Sequence, residues 1–141
     1  MVAVSLGGSR ATGAAQASSD YDIGLYFSER DGLDVESLSE AAKRLVDDPA
    51  AVKVTEVGGW GSWIVGGGWL TIARKKVDVL YRPIESVEKV IGDCRQGRVS
   101  MDYQPGHPHG FCSAIWMGEV ALCQPLPTPR VHWRDWRTSR L

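Results

Sequence analysis

Three aspartates and a Gly-Gly-Ser turn are the residues of this chain whose types and spacing could do chemistry. Gly7-Gly8-Ser9 is followed, after a spacer of ten residues, by Asp20-Tyr21-Asp22. A third acid, Asp78, interrupts the apolar run Val77-Asp78-Val79-Leu80-Tyr81. On an extended strand, residues two apart point to the same side, so Asp20 and Asp22 project together with side chains roughly 6–7 Å apart. Carboxylates at that spacing offer the hard oxygen ligands that magnesium takes alongside substrate phosphates. Two such ions ~3.5–4 Å apart stabilise the attacking and leaving oxygens of a phosphoryl transfer. The glycines let backbone N–H groups approach phosphate oxygens, Ser9 adds a hydroxyl donor, and a helix starting after Ser9 would add its dipole. An ionised Asp78 in an apolar strand is costly unless it is paired or metal-bound. If the acids are only structural, Arg10 and Arg82 are the cations expected to pair with them. The turn is not a P-loop, since no Gly-Lys-Ser/Thr follows, nor a G-x-G-x-x-G fingerprint.

The elements that must position these residues follow from hydrophobic period. Val2 to Leu6 reads as a buried strand stopped by Gly7-Gly8. Residues 21–27 alternate, with Ile23, Leu25 and Phe27 on one face and Asp20, Asp22, Gly24 and Tyr26 on the other. Ser37-Leu38-Ser39-Glu40 predicts a capping box for a helix that Asp48-Pro49 ends. Val52 to Val57 reads as a strand, and residues 58–69, with six Gly and three Trp, as a loop or hairpin where backbones approach closely. Strands over 69–73 and 76–82 are expected to join through a basic turn at Arg74-Lys75-Lys76. Pro83 opens a helix whose apolar face is Ile84, Val87, Val90 and Ile91. Tyr103 to Gly110 reads as a loop, and Phe111 to Cys123 as a helix followed by a strand. The sum, about five strands and two or three helices, predicts an α+β fold: a mixed sheet with helices packed on one face.

Composition bounds the partners. The 141 residues make one domain, expected over 1–129, with a basic Trp/Arg tail over 130–141 that is poorly ordered. The net charge of −1 argues against a strongly basic nucleic-acid binder. The tail alone carries four Arg against one Asp, and Trp133 and Trp136 there leave a nucleic-acid contact open. Three Cys with no C-x-x-C pair argue against a disulfide framework and point to reduced thiols. The apolar start is too short for a signal segment and no run approaches membrane-spanning length, so the expectation is a cytoplasmic protein without membrane contact. His107-Pro108-His109 with Cys112 has zinc-ligand types but no second ligand pair, so two exposed His on a loop is the preferred reading. Trp60, Trp63 and Trp69 read as packing a hairpin on the core, with stacking on a nucleobase or sugar acceptor as the alternative.

Val4-Ser-Leu-Gly-Gly-Ser-Arg-Ala, then Ser19-Asp-Tyr-Asp-Ile-Gly-Leu-Tyr, then Val77-Asp-Val resembles the polymerase-β-type nucleotidyltransferase superfamily. The resemblance covers about residues 2–82 and is nearest to the small bacterial members, which include aminoglycoside nucleotidyltransferases and antitoxin-type enzymes. It implies a palm-like core in which Gly7, Gly8 and Ser9 hold the triphosphate and Arg10 assists on the phosphates. Asp20, Asp22 and Asp78 would bind two magnesium ions, or manganese in their place. Asp78 would also take the proton from an acceptor hydroxyl. The reaction implied is transfer of a nucleoside monophosphate from a nucleoside triphosphate to an unidentified hydroxylated acceptor, with release of pyrophosphate. Members carry a helical bundle after the palm that helps form the acceptor pocket, and few residues here follow Asp78. A truncated or degenerate palm that binds nucleotide or a partner protein without turnover is therefore the second reading, and a plain α+β interaction domain the third.

Overall fold

The computed structural model describes residues 2–128, so the 130–141 tail and the expectations placed on it lie outside the described residues. Five strands form one mixed sheet: β1 (Ala3–Leu6), β2 (Tyr21–Phe27), β3 (Gly67–Ile72), β4 (Lys75–Pro83) and β7 (Gln124–Leu126), in the order β3-β4-β2-β1-β7. The pair β2·β4 is parallel and the other pairs are antiparallel. Between β4 and β7 a two-stranded hairpin, β5 (Met101–Gln104) with β6 (His107–Cys112), stands as a separate sheet. Four helices complete the α+β fold: α1 (Gly8–Thr12), α2 (Val35–Lys43), α3 (Ile84–Arg95) and α4 (Ala114–Leu122).

Alternation along β2 sorts the core into two. Tyr26 and Ala3 face α3 and α4, where Val87, Ile91, Trp116 and Val120 are almost fully buried. Leu25 and Phe27 face the other way, with Val79 and Tyr81 of β4, and α2 adds Val35 and Leu38 there. The helices thus divide: α3 and α4 cover the face that carries Asp22 and Asp78, and α2 belongs to the opposite one. Glu85 in the first turn of α3 accepts hydrogen bonds from Ser28 Oγ and the Glu29 N–H, each at 2.8 Å, which ties that helix to the end of β2.

Several local expectations are corrected. Asp34, not Ser37, caps α2: its Oδ1 accepts from the Ser37 N–H at 2.9 Å and its Oδ2 from Ser37 Oγ at 2.7 Å. Asp caps as well as Ser does, and Asp34 satisfies the equivalent orphan donor of a helix that starts three residues earlier, the Ser37 N–H. The helix ends at Lys43 rather than at Asp48-Pro49, which instead opens a single 3₁₀ turn over Pro49–Ala51. Residues 52–57 do not form a strand; they meet the start of β3 through the Val54–Gly68 bridge and the hydrogen bonds of Thr55 with Gly67, at 2.8 Å from the Thr55 N–H and 2.9 Å to its Oγ1. The residues around Tyr103–Gly110 are a hairpin rather than a loop, because Pro105-Gly106, with Gly106 at φ 82°, makes a two-residue turn between Gln104 and His107.

The β3–β4 turn is Ala73-Arg74, one residue earlier than the basic cluster suggested. Both residues have positive φ, 49° and 61°, where glycine or asparagine would be expected. The Asp47 carboxylate compensates by accepting the Ala73 and Arg74 N–H groups at 2.7 and 2.8 Å. Left-handed backbone costs a side-chain-bearing residue roughly 1–2 kcal/mol. The double change Ala73→Asn with Arg74→Gly is therefore expected to raise the unfolding free energy by about 1 kcal/mol, measured by urea denaturation.

Candidate active site

Parallel pairing of β2 with β4 sets Asp22 directly opposite Asp78, and antiparallel pairing of β4 with β3 sets Trp69 on the far side of Asp78. Paired residues on neighbouring strands lie ~4.8 Å apart across the sheet and share a face. The row Asp22–Asp78–Trp69 therefore crosses three strands on the side covered by α3 and α4. Asp20 lies one residue before β2, beside this row. The three carboxyls do not converge on a single point: among the described residues no group of three or more His, Cys, Asp or Glu surrounds one position.

Their charges nevertheless act on one another. Burial pushes the Asp22 carboxyl above the ordinary carboxylate range, and repulsion from Asp20 and Glu119 adds to it. Burial also raises Asp78, helped by Asp20 and Asp22 and opposed by Lys76. Neither arginine expected to neutralise these acids does so. Arg10 spends Nη2 on the Ser19 carbonyl at 2.6 Å and Nε on the Ser19 and Asp20 carbonyls at 3.2 Å each, and lies 3.9 Å over the Tyr21 ring. It fastens the segment leading into β2. Arg82, only 3% exposed, pairs with Glu119. Among the described residues, none of the three aspartates has an ion-pair partner.

The glycine turn meets this row at the end of β1. The Gly7 N–H donates to the Asp22 carbonyl at 2.7 Å. Gly8 has φ 58°, and a Cβ there would fall on the Asp22 carboxylate, so this residue must be glycine for both reasons. Gly8 is the first residue of α1 and Gly7 its cap, so Ser9 lies inside the helix rather than capping it. The five-residue helix ends at Gly13, in the left-handed conformation.

Glu119 of α4 joins the candidate site although no sequence motif marks it. Its Oε2 accepts from Arg82 Nε at 2.8 Å and its Oε1 from Arg82 Nη2 at 2.9 Å. A cavity of about 170 Å³ lies between this pair, Gly7, Gly8, Asp22 and Leu80. Since a water molecule takes ~30 Å³, that is room for a phosphate group and not for a whole nucleotide. The signal was available: Glu119 is the one charged residue in the helix sequence Ala-Ile-Trp-Met-Gly-Glu-Val-Ala-Leu, the same kind of anomaly that singled out Asp78.

The three tryptophans separate. Trp63 packs in the core against Phe111 and Trp116, at centroid distances of 5.5 and 5.2 Å. Trp60 and Trp69 stack on each other at 4.5 Å and line a second, larger cavity. His107 lines the same cavity and abuts Phe111 edge-on.

Hard carboxylate oxygens side by side, without an ion-pair partner among the described residues and next to a phosphate-sized cavity, suit magnesium, which binds through one or two carboxylates plus substrate phosphates. The chain matches no protein-family model, no characterised protein and no solved structure. No helix among the described residues is long and apolar enough to cross a membrane.

Proposed function

We propose that the protein is a magnesium-dependent nucleotidyltransferase, which moves a nucleoside monophosphate from a nucleoside triphosphate to an acceptor hydroxyl. The observation that carries this reading is the register pair Asp22–Asp78, facing the Gly7-Gly8 turn with no ion-pair partner among the described residues. Asp22 and Asp78, with Asp20, would hold the metal, which when bound neutralises phosphate charge and stabilises the attacking and leaving oxygens. Gly8 would present its backbone N–H to the phosphates, while the Gly7 N–H holds the turn to β2 through the Asp22 carbonyl, and Ser9 stands next to them as a hydroxyl donor. Arg10 acts mainly through the backbone, holding the Asp20 segment in place. Asp78 accepts the acceptor's hydroxyl proton on its carboxylate as the new bond to the α-phosphorus forms. The bond from the α-phosphorus to its bridging oxygen breaks, and pyrophosphate leaves. Positioning and electrostatic preorganisation supply the acceleration.

The test incubates the full chain with magnesium, α-labelled nucleoside triphosphates and a small-molecule metabolite extract as the acceptor pool. Wild type is expected to release pyrophosphate and transfer label to a small molecule, and Asp78→Asn to do neither. Triphosphate that binds in a magnesium-dependent way without pyrophosphate release would establish the alternative, a palm that binds nucleotide without turnover. With neither binding nor release, the chain is an interaction domain.

A further inference from the structure

Trp69 is 66% exposed although it stacks on Trp60, and the two rings line a cavity of about 590 Å³ that also takes in Ile64, Leu80, Pro105 and His107. Large tryptophans on the wall of an open cavity are unusual unless something covers them, and this volume lies in the range of small-molecule sites. The cavity is built deliberately. Gln104, 1% exposed, donates from Nε2 to the Trp60 carbonyl at 2.8 Å. Its Oε1 accepts the N–H groups of Trp63 and Ile64 at 2.9 and 3.0 Å. The β5–β6 hairpin thereby holds the 60–64 loop open. Leu80 lines both this cavity and the smaller one at Gly8 and Asp22, so the two adjoin across a single side chain.

Position in the sheet gives the cavity its role. The phosphate-sized cavity lies toward β1, on one side of the Asp22–Asp78 pair, and Trp69 lies on β3, on the other side. In a displacement at phosphorus, the attacking and leaving oxygens are roughly in line, so the acceptor approaches from the side away from the pyrophosphate. That side is the tryptophan cavity. Among the described residues its wall holds no Asp, Glu, Lys or Arg. A polycationic acceptor would leave its charges unpaired there, which is costly. The face of a sugar ring or an aromatic ring stacks on tryptophan at little cost.

Resting on the nucleotidyltransferase reading, we propose that the cavity bounded by Trp60, Trp69 and the β5–β6 hairpin is the acceptor site, and that it takes a neutral hydroxylated ring compound. A ring seated on Trp69 brings its hydroxyl beside Asp78, the register neighbour of Trp69 and the group that accepts the proton.

The test titrates the full chain with four probes in the absence of metal, following tryptophan fluorescence and heat: cellobiose, naphthalene-methanol, a polycationic aminoglycoside and adenosine. Cellobiose or naphthalene-methanol is expected to bind, and whichever binds identifies a sugar or an aromatic acceptor. Trp69→Ala is expected to weaken that probe by about tenfold, as loss of a stacking platform does. Because Trp69 is largely exposed, the variant should keep its fold, checked by circular dichroism. Tighter binding of the aminoglycoside would overturn the proposal. So would adenosine binding lost in Trp69→Ala, which would make the cavity a nucleobase site. If a neutral probe binds but magnesium triphosphate never does, the transferase reading fails, and the acceptor role falls with it. If magnesium triphosphate binds and no neutral probe does, only the acceptor assignment fails.

Discussion

Asp22→Asn is expected to abolish magnesium-dependent triphosphate binding and, at the same time, to make the metal-free protein more stable. The two effects share one cause. The carboxylate is partly buried and repelled by Asp20 and Glu119, which raises its proton affinity in the fold. A carboxyl whose folded pKa lies above its unfolded value favours folding in its protonated state. Its burden is absent below the unfolded value, grows as pH rises through the folded value, and is fully present at neutral pH. Asn carries no charge, and no hydrogen bond to the Asp22 carboxylate exists among the described residues to be lost. The melting temperature of Asp22→Asn should therefore exceed that of wild type, by a margin that widens between about pH 4 and pH 7. Differential scanning calorimetry of both proteins across that range is the measurement. A fall in melting temperature at neutral pH would mean that Asp22 is a structural acid. A gain in stability on losing a functional charge is the usual trade-off at a site shaped for something other than folding.

Glu119→Ala is expected to be the most destabilising single change near the site. It strands Arg82, whose guanidinium is 3% exposed and holds Glu119 through two hydrogen bonds. Removing one partner of a buried pair costs about 3–5 kcal/mol when the other charge is left uncompensated. Glu119 is itself 36% exposed, so water can reach the gap, and a loss of about 2–3 kcal/mol in urea unfolding is the expected value. Arg82→Met combined with Glu119→Leu should recover most of that loss, because a buried pair exchanged for apolar groups is close to neutral. A single-variant loss below about 0.5 kcal/mol, the scale of an exposed ion pair, would show that the pair is a surface contact only. Glu119→Ala also removes one of the charges that raise Asp22, so the pH dependence attributed to Asp22 should shrink in that background.

What could be read from the chain, and what could not, follows from how far apart the deciding contacts lie. β1, β2, β4 and α3 carry their own periods, so Asp22 and Asp78 were each legible as an acid on the polar side of its own strand. Their direct opposition was not, because it depends on β2 and β4 pairing in parallel across more than fifty residues. Asp34 and Ser37 both satisfy the local rule for a cap, and only the hydrogen bonds decide between them. The Ala73-Arg74 turn carries no Asn-Gly signal, because Asp47, twenty-six residues earlier, supplies what glycine would have supplied. Residues 52–57 alternate yet form no strand for the complementary reason: only Val54 and Thr55 find partners on β3, at its first two residues. Glu119 and the Trp60–Trp69 cavity are tertiary features, assembled by α4 and the β5–β6 hairpin in the stretch where the sequence pattern was weakest.

The central claim is that this row of carboxylates and the glycine turn hold a triphosphate through a divalent metal. Isothermal titration of the wild-type chain with a triphosphate analogue that cannot be cleaved at the α-phosphorus, once in magnesium and once in EDTA, tests it most directly. The account predicts binding in magnesium that is weakened by about a hundredfold or more in EDTA, a difference of ~2.7 kcal/mol. Equal affinity in the two buffers, or no binding in either, would contradict it.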